Sequence, residues 1–180
     1  MKKVETAVLG GGCFWCTEAV FQRLKGVLKV TPGYSGGKIE NPSYYEVVEK
    51  DTGHAEVIQI EFNPDIISYN DLLDAFWQVH NPTSLNRQGN DVGTQYRSVI
   101  LYTSNAQKLE AEDSLKKLKE SGQYEGQIVT EIRPLVKFFK AEDYHKNYYN
   151  RNKEEPYCQI VINPKLEKLK QKFSNLISAE

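Results

Sequence analysis

The sequence predicts a single α+β domain running from residue 1 to residue 180. Three observations carry that expectation. Segments that alternate apolar and polar residues are interleaved with segments of helical period, instead of being gathered into separate halves. Between them lie long stretches rich in Gly, Asn and Pro, and loops of that length in a compact domain are where binding and catalysis concentrate. No internal repeat, low-complexity tract or linker divides the chain.

Val4 to Leu9 reads as a short strand ending in Gly10-Gly11-Gly12. From Cys13 the period turns helical, since Cys13, Cys16, Val20 and Leu24 fall three, four and four apart and share one face. That places Cys13 in the first turn of a helix. "GVLKVTPGYSGGK" predicts a second strand entering a glycine loop, and "IENPSYYEVVEKDTGH" a long irregular connection. "HAEVIQIEFNP" alternates as a strand should: Ile58, Ile60 and Phe62 share one face and Val57, Gln59 and Glu61 the other. Counting back puts Glu56 on the Ile58 face, so a carboxylate stands at the end of the core side. Ser68-x-x-Asp71 is a helix start signal, followed by an apolar stripe at Leu72, Ala75, Phe76 and Val79. "HNPTSLNRQGNDVGTQ" is a loop, "YRSVILYT" a strand, and Ser104 to Ser121 a helix with Ala111, Leu115 and Leu118 on one side. "QIVTEI" predicts a further strand and "AEDYHKNYYN" a short helix. "YCQIVI" reads as a last strand or as loose coil, and Leu166, Leu169, Phe173 and Leu176 as a closing amphipathic helix.

Composition narrows the function. A net charge of −1 gives no electrostatic reason to expect nucleic acid or acidic lipid as a partner. "MKKVETAVLGGG" lacks the apolar run of a signal peptide, and no stretch approaches the ~20 apolar residues of a membrane span. Three cysteines cannot make a disulfide framework, which suits a reducing compartment, and the cytoplasm is the expected one. Eleven tyrosines, many in Gly, Pro and Asn contexts, supply hydroxyls that suit packing or a site.

"GGGCFWCTEAVFQRL" concentrates the chemistry. Cys13 and Cys16 make one close pair, but Cys158 and the three histidines stand singly, so the spacing does not support a zinc site. Cys16, on the Val20 face, also fits a buried core thiol. Cys13 reads as a nucleophile, because thiols at a helix start meet unpaired N–H groups that stabilise a thiolate. A C-x-x-C pair at a helix start also fits a thioredoxin-like disulfide exchanger. Phe14 and Trp15, however, are two large rings better suited to lining a pocket for an apolar piece of substrate.

Six segments in order, "GGCFW", "GYSGG", "NPSYYEVV", "TGHAEVIQI", "NPTSLNRQGNDVGTQYRS" and "EDYHKNY", resemble the peptide methionine sulfoxide reductases of the A class. The likeness runs from about Ala7 to Tyr149, with "YCQIVI" as a continuation. It implies a two-layer sandwich with a ferredoxin-like core and long irregular loops, and reduction of the S epimer of methionine sulfoxide, free or in proteins, without a cofactor or metal. It implies Cys13 as attacking thiolate, Phe14 and Trp15 around the S-methyl group, and Glu56, Tyr44 and Tyr96 holding and protonating the oxygen, with Asp91 bracing the site. A neutral acid makes chemical sense, since thiolate attack on a sulfoxide is poor unless its oxygen is protonated, and burial keeps a carboxyl un-ionised. The sulfenic acid left on Cys13 would be resolved by Cys16, one turn along, or alternatively by Cys158. In many relatives the resolving cysteine sits on a mobile glycine-bearing tail, whereas here Pro156 precedes Cys158. Thioredoxin or a similar dithiol would then reduce the disulfide.

Overall fold

A computed structural model describes residues 3–178. Eight strands and six helices alternate along it: β1 (Glu5–Gly11), α1 (Phe14–Phe21), β2 (Val27–Ser35), α2 (Tyr44–Glu49), β3 (Ala55–Phe62), α3 (Tyr69–Val79), β4 (Arg87–Gln88), β5 (Asp91–Val92), β6 (Ser98–Tyr102), α4 (Asn105–Ser121), β7 (Glu131–Pro134), β8 (Phe138–Lys140), α5 (Tyr148–Arg151) and α6 (Asn163–Lys172). Six strands form one sheet in the order β7-β6-β1-β3-β2-β8, and β4 pairs with β5 as a separate two-residue ribbon. Every pairing in the large sheet is antiparallel except β6 with β7. The run β1-α1-β2-β3-α3-β6 with strand order β6-β1-β3-β2 is a ferredoxin-like core, and the fold is the α+β sandwich that the resemblance implies.

The main core lies on the helix face of the sheet, where Leu9, Ile58, Ile60 and Phe62 meet Val20, Phe21, Leu72 and Phe76. This is the face assigned to Ile58, Ile60 and Phe62 from alternation. The opposite face is also covered in part, because Val8, Val57, Val99 and Leu101 form a second cluster with Leu135 and Phe138. β3 is therefore an interior strand buried on both sides, a firm base for Glu56.

Several elements depart from the sequence reading. "IENPSYYEVVEKDTGH" is not wholly irregular. It holds α2, started by a capping box in which Ser43 Oγ accepts from the Glu46 N–H and Glu46 Oε1 accepts from the Ser43 N–H. "YCQIVI" is neither strand nor coil. Cys158–Ile162 is a π-helical segment continuous with α6, and it buries Cys158 and Ile162, four residues apart, against the core. β8 comes from "FFK", too short to show a period. "AEDYHKNYYN" divides into a 3₁₀ turn at Asp143–His145 and the four-residue α5. α1 ends before Leu24, and α6 ends before Phe173. Among the described residues, no helix is long and apolar enough to cross a membrane.

Candidate active site

The turn between β1 and α1 sets the site. Gly12 has φ +96, and a Cβ there would meet the Gln88 side chain at 2.8 Å, so both backbone and space call for glycine. Cys13 follows as the residue flanking the helix, not within its first turn as the spacing predicts; its carbonyl accepts from the Cys16 N–H at 3.1 Å.

Glu56 reaches the start of the same helix from β3. Its Oε1 accepts the Phe14 N–H at 3.1 Å, while Oε2 is buried and meets no partner among the described residues. The residue is 1% exposed. Burial pushes its pKa up to about 8, against the pull of the Phe14 N–H, with the charges of Asp91 and Cys16 adding to the rise. At neutral pH this carboxyl keeps its proton.

Tyr44, Tyr96 and Asp91 come from three elements, each near enough to Glu56 for their charges to couple. Tyr44 is the first residue of α2, and its N–H donates to Glu142 Oε2 at 2.9 Å. Tyr96 ends a 3₁₀ turn pinned by Arg97, whose guanidinium donates to Gly53 O and Thr94 O and pairs with Glu131 at 3.0 Å. Burial raises both phenols, Tyr44 to about 12, with the Glu56 and Cys13 charges adding to each rise. Both stay neutral donors across the physiological range. Asp91, on β5, makes its side-chain hydrogen bond to a tyrosine outside the expected set. Its Oδ2 accepts from Tyr157 OH at 2.8 Å, and the same phenol oxygen lies 3.4 Å from Cys16 Sγ.

Phe14 is fully buried, its ring packed on Tyr34 at 5.6 Å and His145 at 4.9 Å. Trp15 is half-buried, stacked on Tyr148 at 3.7 Å with planes 9° apart. Its indole N–H donates to His145 Nδ1 at 3.0 Å. An indole can only donate, so the imidazole proton sits on Nε2, which is buried without a partner among the described residues. His145 also packs on Tyr44 at 4.6 Å, joining both rings of the C-x-x-C pair to a tyrosine of the site. His145, Tyr148 and Tyr157 are site residues the sequence reading did not single out. "EDYHKNY" held two of them, but nothing in its spacing marks which ring faces inward.

The thiols correct one expectation. Cys13 is not favoured as a resting thiolate: burial pushes it well above the ordinary thiol range, with the Cys16 thiol and the Glu56 charge acting the same way and the Trp15 N–H opposing. The helix start that should ionise it already gives its first N–H to Glu56. Cys16 is the more acidic partner. Interaction with the Cys13 thiol brings it down to about 7 despite burial, helped by Lys165 and Tyr157. Cys158 is fully buried, and burial raises its pKa, with the Cys16 charge adding to the rise. Among the described residues all three cysteines are free, and no group of three or more His, Cys, Asp or Glu is placed to hold a metal ion. A cavity of ≈670 Å³ opens beside Cys13, with Asp91 and Tyr157 also in its walls.

Comparison with known proteins gives a consistent match. The family model described as peptide methionine sulfoxide reductase matches residues 5–177. The chain is 53% identical over 175 residues to a protein of Sulfolobus acidocaldarius named peptide methionine sulfoxide reductase MsrA, covering 97% of this chain and 98% of that one. It is 51% identical to the protein of the same name from Saccharolobus solfataricus, covering 97% of each. Among solved structures, reduced Mxr1 from Saccharomyces cerevisiae superposes with a TM-score of 0.81 at 33% identity, over 87% of this chain and 90% of that one.

Proposed function

The chain belongs to the peptide methionine sulfoxide reductase family, a reductase of methionine sulfoxide, and on that premise we propose that Cys13 takes the sulfoxide oxygen while Glu56 supplies the proton. The observation that carries this reading is the unpartnered Glu56 Oε2, a buried carboxyl oxygen holding a proton beside Cys13. A buried donor without an acceptor costs free energy, and a sulfoxide oxygen placed there recovers it.

The step balances without a cofactor. Cys13–SH and the sulfoxide become Cys13–SOH and a thioether: the cysteine sulfur loses two electrons, the substrate sulfur gains two, and the oxygen changes owner. Glu56 protonates that oxygen as charge gathers on it, and Tyr44 and Tyr96 donate to it without carrying charge. Cys13 gives up its proton to solvent in the adjoining cavity as the new bond forms, and Glu56 recovers one in turn, so no net proton is gained or lost. The Trp15 ring, braced through His145 and backed by the buried Phe14 ring, offers the surface for the S-methyl group. With methyl, oxygen and side chain each given a fixed place, only one configuration at sulfur fits, which the family resemblance sets as S.

Cys16 then attacks the sulfenic acid, giving a disulfide and water. Its position one turn along and its lowered pKa favour it over Cys158, which is buried in a helical segment and less acidic. A thioredoxin-type dithiol returns the pair to thiols in the reducing cytoplasm. In a single turnover with free S-methionine sulfoxide, Cys16→Ser yields about one methionine per enzyme and Cys13→Ser yields none. Methionine from the Cys13→Ser protein refutes the assignment.

A further inference from the structure

The cavity beside Cys13 lies next to the groups proposed to hold the sulfoxide and not among them, since Phe14, Trp15, Tyr44, Glu56 and Tyr96 are not in its walls. Its ≈670 Å³ lies within the roughly 300–1,000 Å³ that hold whole drug-sized ligands, whereas the reacting group is one side chain. Besides Cys13 and Asp91, its walls include Asn90, Val161, Lys165 and Lys168. The last two belong to α6, whose buried Leu166 and Leu169 fix the face turned to the core.

Lys165, Lys168 and Lys172 follow at intervals of three and four, which sets three ammonium groups in one stripe beside that face. Like charges at this spacing repel. Two other helical lysines have partners, Lys170 with Glu167 at 3.7 Å and Lys117 with Asp113 at 2.9 Å. Among the described residues, none of the three stripe lysines has a carboxylate within 4.0 Å, and Lys172 donates only to the neutral Gln78 Oε1 at 2.7 Å. Partial burial and the charge of Lys172 together push the Lys168 ammonium below the usual lysine range. The carboxylate in the cavity wall, Asp91, already accepts from Tyr157. On a chain of net charge −1, this is an uncompensated positive strip bordering the proposed nucleophile.

We propose that the cavity receives the polypeptide flanking an oxidised methionine, and that the Lys165, Lys168 and Lys172 stripe makes acidic flanking segments the preferred substrates. The proposal rests on Cys13 as the attacking thiol. An extended chain advances ~3.3–3.6 Å per residue, so carboxylates a few positions from the sulfoxide come within reach of the ammonium groups while the sulfoxide stays at Cys13. Free methionine sulfoxide has no such flank and is indifferent to the stripe.

The test compares kcat/KM, with dithiothreitol as reductant, for free methionine sulfoxide and for two peptides that differ only in Glu or Lys residues beside the methionine sulfoxide. At low salt the Glu peptide should be favoured by about tenfold, the size that two or three exposed charge pairs generate. The preference should collapse at ~1 M salt, where screening acts over ~3 Å. Lys168→Glu with Lys172→Glu should invert it, and Lys168→Gln with Lys172→Gln should cut it to about threefold or less, the share Lys165 alone supports, both leaving turnover of free methionine sulfoxide unchanged. Equal values for the two peptides at low salt, or a Glu preference undiminished in both double variants, overturn the proposal. A charge dependence seen only when thioredoxin replaces dithiothreitol also overturns it, by assigning the stripe to the reductant. Failure of the wild-type protein to turn over free methionine sulfoxide would instead remove the reading of Cys13, and the proposal with it.

Discussion

Glu56 and Cys13 respond to burial in the same direction, because leaving water disfavours the charged form of each. For the carboxyl this keeps a proton available up to about pH 8; for the thiol it holds the pKa above its ordinary value. The rate of the first turnover should therefore hold through neutral pH and fall as Glu56 ionises above about 8. Glu56→Gln should lower that rate by roughly 10²–10⁴, the range of a positioned acid, and should remove the alkaline fall while leaving sulfoxide binding within a few-fold. Stopped-flow assays across pH check both points, and an unchanged rate would show that another group supplies the proton. The position of Glu56 was legible from alternation in "AEVIQIEF", since a strand's period fixes which side chains enter the core. The ionisation of Cys13 was not, because it depends on how tightly separate elements close around the thiol.

Among the elements, α2 illustrates how a site tyrosine is held. Its first turn is fixed by the Ser43 capping box and by Glu142, which accepts from the Tyr44 N–H and from Tyr34 OH at 2.9 Å each. Burial would raise the Glu142 pKa, but these hydrogen bonds, with His145, hold it below the ordinary carboxylate value. A lowered pKa means stability present above the unfolded value and lost as pH falls through the folded one, so this anchor weakens only in acid. Glu142→Ala should destabilise the protein by about 2 kcal/mol at neutral pH and reduce kcat/KM by freeing Tyr44, measured by urea unfolding and steady-state kinetics. Ser43-x-x-Glu46 carried the same start signal as Ser68-x-x-Asp71, yet "YYEVVE" hid the helix, because Tyr and Val are poor helix formers without a tertiary partner. "YCQIVI" misled for a related reason: its β-branched residues suit a strand, but packing against α1 and α6 overrides that preference. Helices with a clear apolar stripe, α3 and α4, were legible almost to the residue.

Across the whole molecule, two buried carboxyls work against stability as pH rises. Glu18, on α1, is 1% exposed, and burial lifts it to about 7, while Glu56 is lifted to about 8. Their folded values lie above the unfolded value of 4.5, so the native state binds more protons between these limits. Their contribution is greatest below pH 4.5 and is lost as pH climbs through about 7 and then 8. The Tm of the reduced protein should fall by several degrees over that window, and Glu18→Gln with Glu56→Gln should flatten the slope; a Tm profile unchanged by both substitutions would contradict the burial argument. On the proposed reading, what the assembled sheet and helices achieve is the transfer of one oxygen atom to one sulfur, and that can be weighed directly. With Cys16→Ser and Cys158→Ser combined, one equivalent of S-methionine sulfoxide should leave Cys13 one oxygen heavier, as a sulfenic acid trapped by dimedone and located by peptide mass mapping. Methionine released with Cys13 unmodified would contradict the account.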